Sequence, residues 1–315
     1  MSSTESSTAT FRPTSGSLVQ YVELWLLSED ENSLECRASA SVGGGVRAAD
    51  GRTVSIGEGL AGGAWKQKTA TILQETPSDL MASLNAAADA SVGDLSAFVA
   101  LPLFCQQELR GVVVLGLSDA FGAIEVWSRD DRDELAVTSG HYEGLPSFEF
   151  ITRYTRFPKG AGLPGMVWKL GVAQLAQNLE TSSGFIRSFG KDPAVITSAL
   201  GLPVASQRGF PASVLLLLAA QDIPLAGQTQ LWTCSGTRDE EGTVTAVVDS
   251  IETVGDVDST SLAEWQQQTL SRLNSVGQPL LLGADSLSLP AGATFSLSLP
   301  IYRQNELCNV LNMMF

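Results

Sequence analysis

One residue pattern occurs three times along the chain and limits what it can fold into. A strand-like stretch carrying one tryptophan appears at Val22-Glu23-Leu24-Trp25, Ile124-Glu125-Val126-Trp127 and Thr229-Gln230-Leu231-Trp232, with tryptophans 102 and 105 residues apart. A Leu-Pro step inside an apolar stretch follows each, at Leu101-Pro102, Leu202-Pro203 and Leu299-Pro300, with prolines 101 and 97 residues apart. Two independent markers holding one period predict three related units of about a hundred residues, each large enough to bury a core.

The units run over 18–118, 121–219 and 226–315, after a Ser/Thr-rich tail at 1–17 that reads as disordered. Only Ser118 to Ala123 separates the first two, and the junction from Ala220 to about Gly227 is as short. Connections of that length predict a compact array rather than freely tumbling beads.

Hydrophobic residues make up 44% of the chain and charged ones 17%, the balance of packed globular material. No apolar run approaches the roughly 20 residues of a membrane-spanning helix. Met1 to Thr8 has neither a basic nor an apolar segment of a secretory signal, so a cytoplasmic protein is expected. The four cysteines, Cys36, Cys105, Cys234 and Cys308, lie far apart without metal-site spacing and read as reduced packing residues. The net charge of −15 is uneven: −7 over residues 1–120, zero over 121–219 and −8 over 220–315. Acidic outer units oppose nucleic acid and anionic membranes as partners.

Each unit opens with a hairpin, as at Val22–Leu27 with Ser33–Ala38, and closes with another, as at Phe98–Cys105 with Leu109–Gly116. Glycine-rich turns at Gly57–Lys66 and Gly160–Lys169 open helices in the first two units and have no counterpart in the third. Ser78–Ala88, Ser182–Ser198 and Ser261–Leu273 supply further helical stretches. Strand pairs flanking helices predict an α+β class, three tandem domains each with a central antiparallel sheet flanked by helices.

At this level the residues resemble the GAF domain family. The middle unit carries the closest match, Thr155-Arg156-Phe157-Pro158-Lys159-Gly160-Ala161-Gly162-Leu163-Pro164-Gly165-Met166-Val167-Trp168, then Phe185-Ile186-Arg187 and Ala199-Leu200-Gly201-Leu202-Pro203-Val204, in the manner of GAF domains of bacterial signalling proteins. The first unit matches through Gly57–Trp65 and Phe98–Gly116, and the third, a degenerate copy, through its hairpins and Leu-Pro strand. The resemblance implies a six-stranded antiparallel sheet and a small-molecule pocket on its helical side, with ligand and cofactor unspecified. The bilin, cyclic-nucleotide and methionine-sulfoxide-reducing subtypes do not fit, for want of the Cys-His pair, the Asn-Lys-x-Phe-Asp-Glu motif and closely placed cysteines.

The expected ligand-binding residues are Trp127, Phe157, Gly162, Trp168, Phe185 and Phe189, an aromatic set confined to the middle unit. Arg156, Arg187 and Lys191 nearby favour an aromatic or weakly acidic ligand, although charges at such positions usually form a solvated face. The glycines of the turn fit strand-to-helix geometry better than a phosphate cradle. Catalysis finds little support: His141 is the sole histidine, in a surface loop by pattern, and no Gly-x-Ser-x-Gly elbow is present. The reading is therefore a non-enzymatic sensory protein signalling through protein contacts. The alternative is a ligand-free interaction or dimerisation module, or a sensory fragment of a larger signalling protein, favoured by the stop at Phe315 within the last predicted strand.

Overall fold

The computed structural model describes residues 16–315 apart from 49–50, 75–94, 106, 121, 182–184, 186, 188–194, 208–209, 221–222, 239–243, 256–261, 285–288 and 291. The tail at 1–15, the helix expected at Ser78–Ala88, most of that expected at Ser182–Ser198, and Phe189 and Lys191 lie outside the described residues.

Three antiparallel sheets form. The first contains β1 (Val19–Leu27), β2 (Ser33–Ser41), β3 (Gly45–Ala48), β4 (Thr53–Ser55), β5 (Thr71–Leu73), β6 (Leu95–Cys105) and β7 (Glu108–Ser118), ordered β3-β2-β1-β7-β6-β5 with β4 also on β2. The second contains β8 (Gly122–Arg129), β9 (Leu135–Glu143), β10 (Arg156–Phe157), β11 (Gln174–Ala176), β12 (Ile196–Gln207) and β13 (Phe210–Ala220), ordered β10-β9-β8-β13-β12-β11. The third contains β14 (Gln228–Arg238), β15 (Val244–Val254), β16 (Leu280–Gly283), β17 (Phe295–Arg303) and β18 (Glu306–Met314), ordered β15-β14-β18-β17-β16. In each, the opening and closing hairpins lie side by side and one short strand borders the penultimate strand.

The described helices are α1 (Gly59–Gln67), α2 (Pro146–Tyr154), α3 (Gly162–Leu170) and α4 (Leu262–Val276), with a 3₁₀ turn at Leu179–Thr181. The expected α+β class of helix-flanked GAF-like units is overturned: among the described residues strand accounts for 56% and helix 19%, in three sheets dominated by antiparallel pairing. The physical reason lies in the closing strands, which read Val112-Val113-Val114-Leu115 and Leu215-Leu216-Leu217-Leu218 without alternation. A continuous apolar run needs burial on both faces. One face, with Val112, Val114, Leu216 and Leu218, packs under the short helices. The other, with Val113, Leu115, Leu215, Leu217, Leu311 and Met313, enters one core shared by all three sheets.

The Leu-Pro steps mark the same geometry. β5 pairs with β6 only as far as Ala100, β11 with β12 as far as Gly201, and β16 with β17 as far as Ser298. Pro102, Pro203 and Pro300 each sit two residues further on, where the outer edge carries no ladder and the missing N–H costs nothing. All three prolines line one shallow cavity of about 40 Å³ where the sheets meet. Around this centre the short strand of each sheet abuts the next sheet. Gln74, beyond β5, donates to the Gly140 carbonyl of β9, and Gln177, beyond β11, donates to that of Thr253 in β15 at 2.9 Å. β16 closes the circuit against β3, where a Cβ on Gly283 would lie 3.2 Å from Val46.

Among the described residues, no helix is long and apolar enough to cross a membrane.

Candidate functional site

Each recurrent tryptophan is held by the residue two positions before it, which an extended strand places on the same face. The indole Nε1 of Trp25 donates to Glu23 at 2.8 Å, that of Trp127 to Glu125 at 2.9 Å and that of Trp232 to Gln230 at 2.8 Å. Glu23 and Glu125 are fully buried. A carboxylate out of water needs a counter-charge and donors to offset its lost hydration.

The first two sheets supply an arginine from unrelated chain positions. Arg52, just ahead of β4, donates Nη1 to Glu23 at 2.8 Å and lies 5.3 Å over the Trp25 ring. Arg187, beyond the 3₁₀ turn, donates Nη1 to Glu125 at 2.6 Å and lies 5.3 Å over Trp127. The third sheet removes the charge: an amide replaces the carboxylate, and Trp265 of α4 stands edge-on to Trp232 at 5.4 Å.

The second sheet builds most around its arginine. Arg187 is 3% exposed, and besides Trp127 its guanidinium faces Phe148 at 4.6 Å, Phe157 at 5.6 Å and Phe185 at 5.8 Å. Such rings stabilise a desolvated cation through their quadrupoles. Thr152 of α2 accepts from Arg187 Nη1 at 2.9 Å and donates to Glu125 Oε1 at 3.2 Å. Burial, then the neighbouring Glu125 charge, pushes the Tyr142 phenol well above its ordinary range, so it stays neutral. One atom of this network is unspent: Arg187 Nε has no acceptor among the described residues. Arg187 also lines a cavity of about 20 Å³, with Phe157, Phe185, Leu163, Leu216 and Leu218. That is room for a water or a group of a few heavy atoms.

Of the residues expected at a site, Trp127, Phe157 and Phe185 wall the Arg187 cage, and Phe157, Gly162 and Phe185 line the cavity. Trp168 is buried in the core with Lys159 Nζ 5.7 Å over its ring, and is not among the cavity-lining residues. Arg187 is a buried cation rather than part of a solvated face. Glu125, Thr152 and Phe148 escape the sequence reading. A signal for Glu125 was available, since a charge interrupts an apolar strand at the same offset from tryptophan in two units.

The glycine-rich turn spends its N–H groups internally. Gly160 donates to Gly165 at 2.8 Å and Ala161 to Pro158 at 2.9 Å, as Gly57 does to Gly62 at 2.7 Å. Helix and strand end approach so closely that a Cβ on Gly165 would lie 2.4 Å from the Pro158 carbonyl. The turn is a packing device. His141 belongs to β9 rather than a surface loop, with Ser96 Oγ at 3.2 Å and Glu143 at 3.6 Å. Among the described residues no group of three or more His, Cys, Asp or Glu is placed to hold a metal ion.

No family model and no curated protein matches the chain. Solved structures with some likeness include an NreA protein of Staphylococcus aureus mutated in its nitrate-binding site, at 16% identity and a TM-score of 0.26 over 34% of this chain and 80% of that one. The free methionine-R-sulfoxide reductase of Neisseria meningitidis, solved with its substrate, aligns at 16% identity and a TM-score of 0.21 over 31% of this chain and 52% of its own. A type II enzyme of that name from Thermoplasma acidophilum aligns at 16% identity and 0.22 over 31% and 61%. Scores this low leave function to be argued from the site.

Proposed function

We propose that this chain is a non-enzymatic binding protein whose second sheet takes a small molecule at the Arg187 cage and reports its presence through protein contacts. The observation that carries the reading is a 3% exposed arginine that lines an apolar cavity and whose Nε–H has no acceptor among the described residues. A buried donor left unpaired costs about 1–3 kcal/mol, which a bound acceptor returns. Glu125 already neutralises the arginine, and a second buried anion would go unpaired, so the matching ligand is a small, planar, uncharged acceptor such as an amide, with little apolar bulk. Binding is favoured over catalysis because Trp127, Thr152 and Arg187 occupy Glu125, leaving it no freedom as a base. The three units at 18–118, 121–219 and 226–315 act as one body in this proposal, since their sheets share a core. A cytoplasmic setting belongs to it as well.

Thermal-shift measurements with formamide and acetamide test the proposal. A saturable rise in melting temperature that is absent from Arg187→Lys, which keeps the charge and removes Nε, is the expected result. Equal shifts in both proteins, or none, would sink it.

A further inference from the structure

The outer face of α2 is apolar where a nine-residue surface helix would ordinarily be polar. Phe148 and Thr152 point inward to the Arg187 cage, while Phe150 is 64% and Tyr154 74% exposed, their rings 5.1 Å apart. Glu149 and Arg153 flank them as an i,i+4 ion pair on the solvent side. Under antiparallel two-fold pairing the charged stripe and the aromatic stripe of α2 each face their own copy. Glu149 of one copy then lies near Arg153 of another and Phe150 near Tyr154, the two pairings differing by one residue, about 1.5 Å along the axis, which these long side chains span. Charge distribution selects the same place. The chain carries −15, its flanking regions −7 and −8, and residues 121–219 sum to zero, so two copies approach there with least repulsion.

We propose that this α2 face is where a second copy of the chain docks, helix against helix, around Phe150 and Tyr154. Aromatic and arginine side chains are the residue types that dominate such contacts. With rings of about 200 Å² each, four of them at these exposures bring roughly 550 Å² to the contact. This is below the roughly 1,200 Å² of standard stable interfaces, so the dimer is weak and dissociates in the micromolar range. The inference stands apart from the ligand reading: its test needs no ligand, and α2 can dimerise whether or not the Arg187 cavity fills.

Sedimentation velocity of the full chain across the micromolar range tests the contact. The wild type shifts from monomer to dimer with concentration, and Phe150→Ala/Tyr154→Ala, both solvent-side changes, weakens the dimer roughly tenfold or more. Glu149→Arg and Arg153→Glu singly weaken it about tenfold by placing like charges opposite each other, and the double charge swap restores it. A monomer at every concentration overturns the proposal. So does a dimer indifferent to the aromatic pair, or single charge variants that the double swap fails to rescue.

Discussion

Replacing Arg187 by methionine keeps much of the side-chain volume inside the aromatic cage and removes the positive charge. Glu125, fully buried, then keeps the Trp127 indole, the Thr152 hydroxyl and the Tyr142 phenol as donors but loses its counter-charge. Breaking a buried pair from one side leaves an uncompensated charge and costs about 3–5 kcal/mol. Glu125→Gln strands the guanidinium instead and costs a similar amount. The double variant, with Gln beside a neutral partner, reproduces what the third sheet does with Gln230 and Trp265, and its expected cost is only about 1–2 kcal/mol. The coupling energy is therefore about 4 kcal/mol or more. Urea unfolding of the four proteins, followed by tryptophan fluorescence at neutral pH, measures it. Additive costs, with the double variant as unstable as the sum of the singles, would refute the claim that the charges are mutually dependent. The equivalent Arg52→Met change in the first sheet is expected to cost less, about 1–3 kcal/mol, because the Arg52 side chain is 13% exposed and water screens part of the loss.

Three further outcomes are expected. Gly62→Ala places a Cβ 2.2 Å from the Ser55 carbonyl and destabilises by about 2–4 kcal/mol, whereas Gly63→Ala meets nothing within 4 Å and gains about 0.5–1 kcal/mol, by chemical denaturation. Burial holds His141 below its ordinary pKa despite the opposing pull of Glu143 and Glu149. Its contribution to stability is therefore present above the unfolded value of about 6.5 and lost as pH falls through the folded value. Melting temperature against pH shows this as an acid-side decline that His141→Asn flattens; an unchanged decline assigns it to other groups. Leu215→Ala, in the core common to three sheets, lowers stability by about 2–5 kcal/mol. Calorimetry should show one transition moving as a whole, and separate transitions of which only one moves would contradict the shared core.

Much of the strand framework was legible in the residues, because hairpins and tryptophan positions follow a two-residue alternation that local sequence sets. The shared core is legible in principle: the unbroken apolar runs at Val112–Leu115 and Leu215–Leu218 call for burial on both faces, which helices supply on one side and the other sheets on the other. The cage was half visible. Trp127, Phe157 and Phe185 stand out by type, but Arg187 reaches Glu125 across 62 residues, and Arg52 reaches Glu23 across 29. No common spacing joins those pairs, so only the folded chain brings them together. The same structure makes α2 serve two surfaces at once, with Thr152 in the buried network and Phe150 and Tyr154 in solvent.

The arginine Nε–H resonances of ¹⁵N-labelled protein test the central claim most directly. Arg187 Nε–H is buried, so it should give a slowly exchanging signal that Arg187→Lys removes. Titration with formamide should shift that signal saturably while those of exposed arginines such as Arg153 and Arg129 stay fixed. A protected Arg187 signal that stays fixed throughout the titration would contradict the assignment of this cage as a binding site.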